Sequence, residues 1–258
     1  MADSGTKMGR RDFLRKTPPL LLGSLMGMCA LSKAFAFQPR IALIVDDIGY
    51  SHHSAAPFLD LPIDITFSIL PKLPKSRALA HEIHERGQQI MLHQPMEPYN
   101  RSLDPGPGAL FVGDGNEKIT NILEENISRM PHAVGVNNHM GSRFTASSRE
   151  ISEALRVVKK RNLLFVDSVT SSRSKAYKTA KNLHLAAGYR NIFLDNIPCV
   201  SSIHRQLKRL KRHALQFGRG IGIGHPHPET AEAIRHFAKD LEGSGISFVH
   251  VSRLIRSA

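Results

Sequence analysis

Histidine and aspartate side chains follow successive apolar segments of this 258-residue sequence. Two histidines and one aspartate are ligand types that Zn²⁺ takes in hydrolases, with a coordination position left open for water. A further carboxylate would accept a proton from that water, and a further histidine would return it to a leaving group. These residue types therefore indicate metal-assisted hydrolysis. The candidates are Asp46, Asp47, His93, His139, Asp167, Asp195, His225 and His227.

The number of cysteines limits which disulfides and metal sites the chain can form. Only Cys29 and Cys199 are present, and Cys29 lies in a segment that we expect to be removed. A chain with one remaining thiol forms neither an internal disulfide nor a cysteine zinc site. A divalent metal, for which we expect Zn²⁺, would therefore be held by His, Asp or Glu.

Eight apolar runs, most of them continuous, indicate strands that are buried on both faces. Segments with a 3.6-residue apolar period lie between several of them and predict helices. This alternation predicts a parallel sheet closed as a distorted (β/α) barrel of seven or eight strands in a single domain, with an open doubly wound sheet as the alternative. The runs span 41–45, 63–69, 88–92, 133–137, 163–166, 191–194, 220–223 and 246–251.

The candidate residues lie at or just beyond the carboxyl ends of these runs, which converge on one face of a parallel barrel. The adjacent carboxylates of Asp46 and Asp47 repel one another, so a cation or a shared proton is needed to hold both. A helix cap or Asx turn is the alternative for this pair. Asp167 and Asp195 likewise have an alternative as supports for other side chains or as helix caps.

Residues 1–36 have the features of an export signal. Arg10 and Arg11 form a twin-arginine pattern, and an apolar run at about 20–31 is shorter than a membrane span. The segment 34–36 supplies an A-x-A-like cleavage site. We expect export by the twin-arginine route to the periplasm, with a general secretion signal or an uncleaved anchor as alternatives. Residues 37–258 would then form the barrel domain, with no membrane span left after cleavage.

The formal net charge of +13 suggests an anionic partner. Residues 1–36 contribute +4, which leaves +9 for the remainder. Export and the absence of a recognition motif argue against nucleic acid. Five of the cations lie at 205–212, where they would bind an anionic glycan or a membrane surface, or form a solvated face opposite an apolar stripe.

Four motifs in order along the chain resemble the divergent polysaccharide deacetylase family, which is similar to the NodB-like carbohydrate esterases. They cover about residues 40–255, nearly all of the chain after the export signal. The motifs are Ile44-Val45-Asp46-Asp47-Ile48-Gly49, His93-x-Pro95-Met96-Glu97, Gly135-Val136-Asn137-Asn138-His139-Met140-Gly141-Ser142, and Gly222-Ile223-Gly224-His225-Pro226-His227.

The resemblance implies a distorted (β/α)7 barrel and a role for several matched residues. Asp46 matches the family's general base, Asp47 a metal ligand, and His225 the general acid. The usual Arg-x-Pro-Tyr motif, which orients the base and helps to form the oxyanion site, has no clear counterpart in this chain.

The third metal ligand is left open by the resemblance. His93 matches the first histidine of a His-x-x-x-His motif, but Glu97 occupies the second position. Either Glu97 or His139 completes the site, and we favour His139 because the 137–139 segment is otherwise hard to explain. Five further polar residues are expected to contact substrate: Glu97, Asn138, Asp167, Asp195 and His227.

The sequence thus predicts a periplasmic metal-dependent deacetylase that acts on an N-acetylated glycan, either peptidoglycan or an exopolysaccharide. One alternative is a non-catalytic glycan- or metal-binding envelope protein on a deacetylase scaffold. A hydrolase of other esters or amides, including phosphoesters, is a further alternative.

Overall fold

The structure is a computed structural model that describes residues 1–2 and 38–255. The predicted export signal, apart from its first two residues, lies outside the described residues and stays a prediction. Residues Gln38–Ala258 form one compact unit. Within the described ranges, no helix has the length and hydropathy that a bilayer crossing requires.

Nine strands occur in the described part, and all the pairs they form are parallel. They are β1 Arg40–Ile48, β2 Thr66–Ile69, β3 Gln89–Met96, β4 Ala133–Met140, β5 Leu164–Asp167, β6 Ala187–Tyr189, β7 Ile192–Phe193, β8 Arg219–Gly224 and β9 Ser247–Phe248. The helices are α1 His52–Leu59, α2 Ser76–Glu85, α3 Asn116–Ser128, α4 Ser148–Lys160, α5 Ala176–Asn182, α6 Val200–Phe217, α7 Pro228–Asp240 and α8 Val251–Ile255.

The strands form one sheet in the order β6-β5-β4-β3-β2-β1-β8-β7, and β9 pairs with β1 beside this path. Among the described residues no pairing joins β6 to β7, so the curled sheet is open at one seam. The predicted α/β architecture, a distorted barrel in a single domain, is confirmed. The strands that carry candidate residues extend further than expected, because polar residues continue β1, β3 and β4 beyond their apolar runs.

One strand, β6, was not expected from the sequence because it lacks an apolar run. Gly188 lies at its centre. A Cβ added there would lie 3.0 Å from the side chain of Ile221 and 3.1 Å from that of Ile255. Glycine therefore lets β6 approach the residues that fill the interior of the sheet.

Alternating side chains of β1 separate two apolar clusters. Ile41 and Leu43 pack in the larger cluster, together with the apolar stripes of the helices. Ala42 and Ile44 join the smaller cluster, which includes residues of β3, β5, β8 and α8. Asp46 continues the face of Ala42 and Ile44, so the interior of the curled sheet changes from apolar to polar at this residue.

The glycines of β8 serve close packing between a strand and a helix. A Cβ added at Gly220 or Gly222 would lie 2.8 Å or 2.7 Å from the side chain of Leu210 in α6. The Gly-x-Gly-x-Gly pattern at 220–224 therefore lies within a strand and does not open a helix as a phosphate-binding loop does.

A long connection, residues 97–115, crosses from β3 to α3 without a helix. Gln94 and Asn126 anchor it, because the side-chain amide of each donates a 2.9 Å hydrogen bond to the carbonyl of Gly108. The Asn126 amide also donates to Gln94 Oε1 at 2.8 Å. Side chains from a strand and a helix thus hold this loop.

Candidate metal centre and active site

Three ligand atoms converge at the carboxyl ends of β1, β3 and β4. Asp47 Oδ1 lies 3.1 Å from His93 Nε2 and 2.9 Å from His139 Nδ1. The two imidazole nitrogens are 3.2 Å apart. The structure therefore gathers His139, and not Glu97, with Asp47 and His93.

This group fits a divalent cation. Asp47 Oδ1 is buried and has no hydrogen-bond partner among the described residues, although both imidazole nitrogens lie close to it. Burial opposes its ionisation, but the interactions with His139 and His93 prevail and hold the pKa of the Asp47 carboxyl well below its usual range. A buried anionic oxygen without a partner is costly, and a cation between the three atoms would offset that cost. The nitrogen and oxygen donors suit Zn²⁺ and other transition ions.

Asn137, in β4, joins this group to Asp46. Its carboxamide nitrogen donates to Asp46 Oδ1 at 2.8 Å and to Ser168 Oγ at 3.2 Å. Its carbonyl oxygen accepts from His93 Nδ1 at 2.8 Å, and also from the hydroxyl of Ser68. Because His93 Nδ1 donates, the lone pair of Nε2 is directed at the candidate metal position.

Asp46 has the position and environment of a general base. It is 3% exposed, and its Oδ2 lies 3.7 Å from His93 Nε2. Burial raises the pKa of the Asp46 carboxyl above its usual range, although the charge of His93, when that imidazole is protonated in the absence of metal, opposes the shift. A carboxylate with a raised pKa accepts a proton more readily than one fully exposed to water.

His225, just beyond β8, has the environment of a general acid. Its Nδ1 donates to Asp195 Oδ1 at 3.0 Å, and Thr230 donates to the other oxygen of Asp195 at 2.9 Å. Burial alone would lower the pKa of His225, but this bond to Asp195 and the charge of Asp46 outweigh it and raise the pKa to about 9. Its free nitrogen, Nε2, lies 3.9 Å from Asp47 Oδ2.

Two residues predicted to contact substrate, Glu97 and Asp167, are engaged in other interactions, and a third, His227, is exposed. Both carboxylate oxygens of Glu97 are occupied, one by Arg143 and the other by the backbone N–H of Val112. Asp167 accepts hydrogen bonds from the backbone N–H groups of Val169 and Tyr177. His227 is exposed at the start of α7. Their roles in substrate binding stay predictions.

Asp195 and Asn138 lie closer to the reactive side chains. Asp195 supports His225, as described above. Asn138 lines the same cavity as His225, but its side chain is bonded to the carbonyl of Met140 and the backbone N–H of Ser168. Direct contact of either residue with substrate also stays a prediction.

A cavity of about 420 Å³ opens onto the reactive side chains. Arg190 and Phe193 form part of its wall, with the guanidinium 4.7 Å from the ring centre. Arg190 also donates to the carbonyls of Ser168 and Val169, each at 2.6 Å. The sequence reasoning missed Arg190 because it follows β6, the strand that the pattern does not reveal.

Three non-glycine residues around the site have left-handed backbone. Asp47 has a φ of 59°, Met140 of 51° and Val169 of 49°. The conformation is costly, most of all for a β-branched residue such as Val169. Asp167 and Arg190 hold Val169 from both sides, through its N–H and its carbonyl. This part of the fold therefore stabilises a strained turn at the cavity wall.

The chain is similar to known proteins in both sequence and structure. The family model of the divergent polysaccharide deacetylases matches residues 43–255. The uncharacterized protein YibQ of Escherichia coli K12 is 30% identical over 216 residues, covering 84% of this chain and 67% of that protein. The crystal structure of the uncharacterized protein ATU2773 from Agrobacterium tumefaciens C58 is 29% identical with a TM-score of 0.79, covering 84% of this chain and 89% of that one.

Two more distant structures share the fold alone, each at 12% identity. The catalytic domain of peptidoglycan N-acetylglucosamine deacetylase from Eubacterium rectale has a TM-score of 0.53 and covers 83% of this chain and 88% of its own. BA3943, a CE4 family pseudoenzyme from Bacillus anthracis, has a TM-score of 0.52 and covers 84% of this chain and 66% of its own. Given the family match over residues 43–255, the chain belongs to the divergent polysaccharide deacetylase family.

Proposed function

We propose that the chain is a periplasmic, metal-dependent hydrolase that removes acetyl groups from an N-acetylated glycan, either peptidoglycan or an exopolysaccharide. The observation that carries the proposal is the convergence of Asp47, His93 and His139 at a cavity that Asp46 and His225 also line. The cavity volume of about 420 Å³ is within the range of small-molecule sites. The features of residues 1–36 support the periplasmic location.

Asp47, His93 and His139 would hold the metal. A divalent cation in such a site supplies Lewis acidity toward a carbonyl oxygen and lowers the pKa of a water. Asp46 takes a proton from the water that adds to the acetamide carbonyl. Asn137 keeps Asp46 in place by donating to its Oδ1, so that the other carboxylate oxygen remains available for the proton.

His225 supplies the proton that completes the reaction. It donates a proton to the amide nitrogen as the C–N bond breaks, and the products are acetate and a free amine. Asp195 keeps the imidazole protonated and fixes its orientation through Nδ1. One carboxylate and one imidazole, each tuned by its surroundings, thus divide the roles of base and acid.

The test is to measure metal content and acetate release from N-acetylglucosamine oligomers for matched variants. Asp46→Asn is expected to retain metal and to lose turnover by about 10²- to 10⁴-fold. Asp47→Ala is expected to lose both. His236→Ala, at an exposed position on α7, is the control and should keep both. Full turnover in Asp46→Asn, or metal retained in Asp47→Ala, would contradict the proposed roles.

Two observations favour a second candidate, a non-catalytic glycan- or metal-binding envelope protein. Glu97 occupies the position of the second histidine of the related motif, and a pseudoenzyme shares the fold. The same assay distinguishes the two. A wild-type chain that binds metal and glycan oligomers but releases no acetate would support this second function.

A further inference from the structure

The exposed side of α6 carries a group of basic residues. Its 18 residues, Val200–Phe217, contain no aspartate or glutamate. They include five lysines and arginines at Arg205, Lys208, Arg209, Lys211 and Arg212. The middle of the helix, residues 205–212, is therefore strongly cationic.

Helical geometry places four of these cations on one side. Ile203, Leu207 and Leu210 are fully buried and mark the side that packs on the sheet. At about 100° per residue, the opposite side carries four cations within an arc of about 100°. They span about 10 Å along the axis at 1.5 Å per residue. These four residues form the basic face of α6: Arg205, Lys208, Arg209 and Arg212.

No carboxylate neutralises this face among the described residues. Arg205 and Arg209 donate only to neutral side chains of the same helix, at 2.8 Å and 3.0 Å. Lys208 and Arg212 form no hydrogen bond or ion pair in the described part of the chain. By contrast, Arg129 of the α3 end pairs with Glu125 at 3.0 Å. The cations of the basic face therefore form no ion pair within the described part of the chain and remain available to an anionic partner.

Apolar side chains lie exposed at the carboxyl end of the same helix. Leu215 is 53% exposed and Phe217 is 58% exposed. Leu215 follows Lys208 by seven residues, so the two lie on one side of the helix. Helix α6 ends where β8 begins, and Arg219 of β8 pairs with Arg40 at the start of β1. This end therefore lies opposite to the candidate active site.

We propose that the basic face of α6 and Leu215 dock on an anionic phospholipid surface. Lipid phosphates would neutralise the four cations, and Leu215 would enter the boundary between headgroups and acyl chains. A soluble polyanionic glycan matches the charge but offers no apolar layer for the aliphatic Leu215. Docking at this position leaves the mouth of the reactive cavity, at the other end of the strands, open to substrate.

The experiment is flotation of the compact unit, residues 38–258, with phosphatidylcholine vesicles that contain or lack phosphatidylglycerol. Binding is expected only to the anionic vesicles and should fall steeply as salt is raised. The variant Arg205→Gln/Lys208→Gln/Arg209→Gln/Arg212→Gln should bind about a thousandfold more weakly, given the usual contribution of each surface cation. Leu215→Gln should weaken binding several-fold at every salt concentration.

A matched control removes the same charge from other helices. The variant Arg77→Gln/Lys160→Gln/Lys178→Gln/Lys181→Gln changes four exposed cations on α2, α4 and α5, and it should bind like the wild type. Three outcomes would overturn the proposal: equal loss of binding in both variants, no binding of the wild type to anionic vesicles, or displacement from vesicles by the soluble polyanion alginate. The last outcome would assign the face to an anionic glycan.

Discussion

Replacement of Asn137 by alanine tests whether one buried amide organises both the metal ligand and the base. The side chain is fully buried and bonds to Asp46, His93, Ser68 and Ser168. Its removal leaves at least three buried groups without a partner, at about 1 kcal/mol or more for each. We therefore expect a loss of about 3 kcal/mol in the free energy of unfolding.

The same substitution should weaken metal binding. Without the acceptor for Nδ1–H, the imidazole of His93 is free to rotate or to change tautomer, and its Nε2 no longer points only at the metal position. Loss of such an outer partner typically lowers metal affinity by about 10- to 100-fold. Competition with a chromophoric chelator measures this affinity, and denaturant unfolding of the metal-free chain measures stability separately.

Asn126→Ala is the matched control for this prediction. Asn126 is equally buried, and its amide bonds to Gln94 and to the Gly108 carbonyl on the long loop. It should lower stability by about 2 kcal/mol without changing metal affinity. Asn137→Asp separates the hydrogen bond to His93 from the hydrogen bond to Asp46. It keeps an acceptor for His93 Nδ1 but replaces the donor to Asp46 with another carboxylate oxygen. If the two alanine variants lowered metal affinity equally, the proposed role of Asn137 would be wrong.

Two further predictions concern titration. Because Asp195 raises the pKa of His225 to about 9, activity that needs protonated His225 should fall as pH rises through that value. Asp195→Asn should move this alkaline limb of kcat/KM to lower pH; an unmoved limb would exclude His225 as the acid. Burial of Glu150 opposes its ionisation, but hydrogen bonds from Ser147, the Gly113 N–H and Arg149 prevail and hold its pKa at about 2, against 4.5 ordinarily. A lowered pKa stabilises the fold above the ordinary value, and this contribution, at most about 3 kcal/mol, is lost as pH falls from 4.5 toward 2. Acid unfolding of Glu150→Gln should lack this component, and a curve parallel to that of the wild type would refute it.

The strands could be predicted from the sequence because most of them are continuous apolar runs. The polar ends of the strands could not, since Asn138 and His139 continue β4 only through hydrogen bonds and contacts to residues far away in sequence. Asn137 and Asp46 are 91 positions apart, and no local pattern reports their contact. Arg190 was missed for a related reason, because β6, the strand that it follows, is recognisable only once Gly188 packs against Ile221.

The choice between Glu97 and His139 as the third metal ligand likewise depends on contacts that no local sequence pattern reports. A fixed spacing in a motif suggested Glu97, while strand pairing decides which side chains meet. The backbone turns the Glu97 carboxylate toward Arg143 and Val112, whereas His139 extends from a strand that is directly paired to β3. Side-chain direction on adjacent strands, and not distance along the chain, places the third ligand candidate.

The reactive side chains form a layer directly above the apolar interior, and strand register explains why they meet. Ile44 pairs with Ile223, and two residues further along their strands come Asp46 and His225. On the neighbouring strands His93 pairs with Asn137. A step of two residues keeps each side chain on the inner face. Because the strands are paired in parallel, the first polar residues of neighbouring strands therefore lie at one level, directly beyond the level of the apolar residues. These buried polar groups are tolerated because they bond to one another. It follows that removal of a side chain that orients a metal ligand in this layer, as in Asn137→Ala, should reduce stability and metal binding together, whereas substitutions in the apolar layer beneath should reduce stability first.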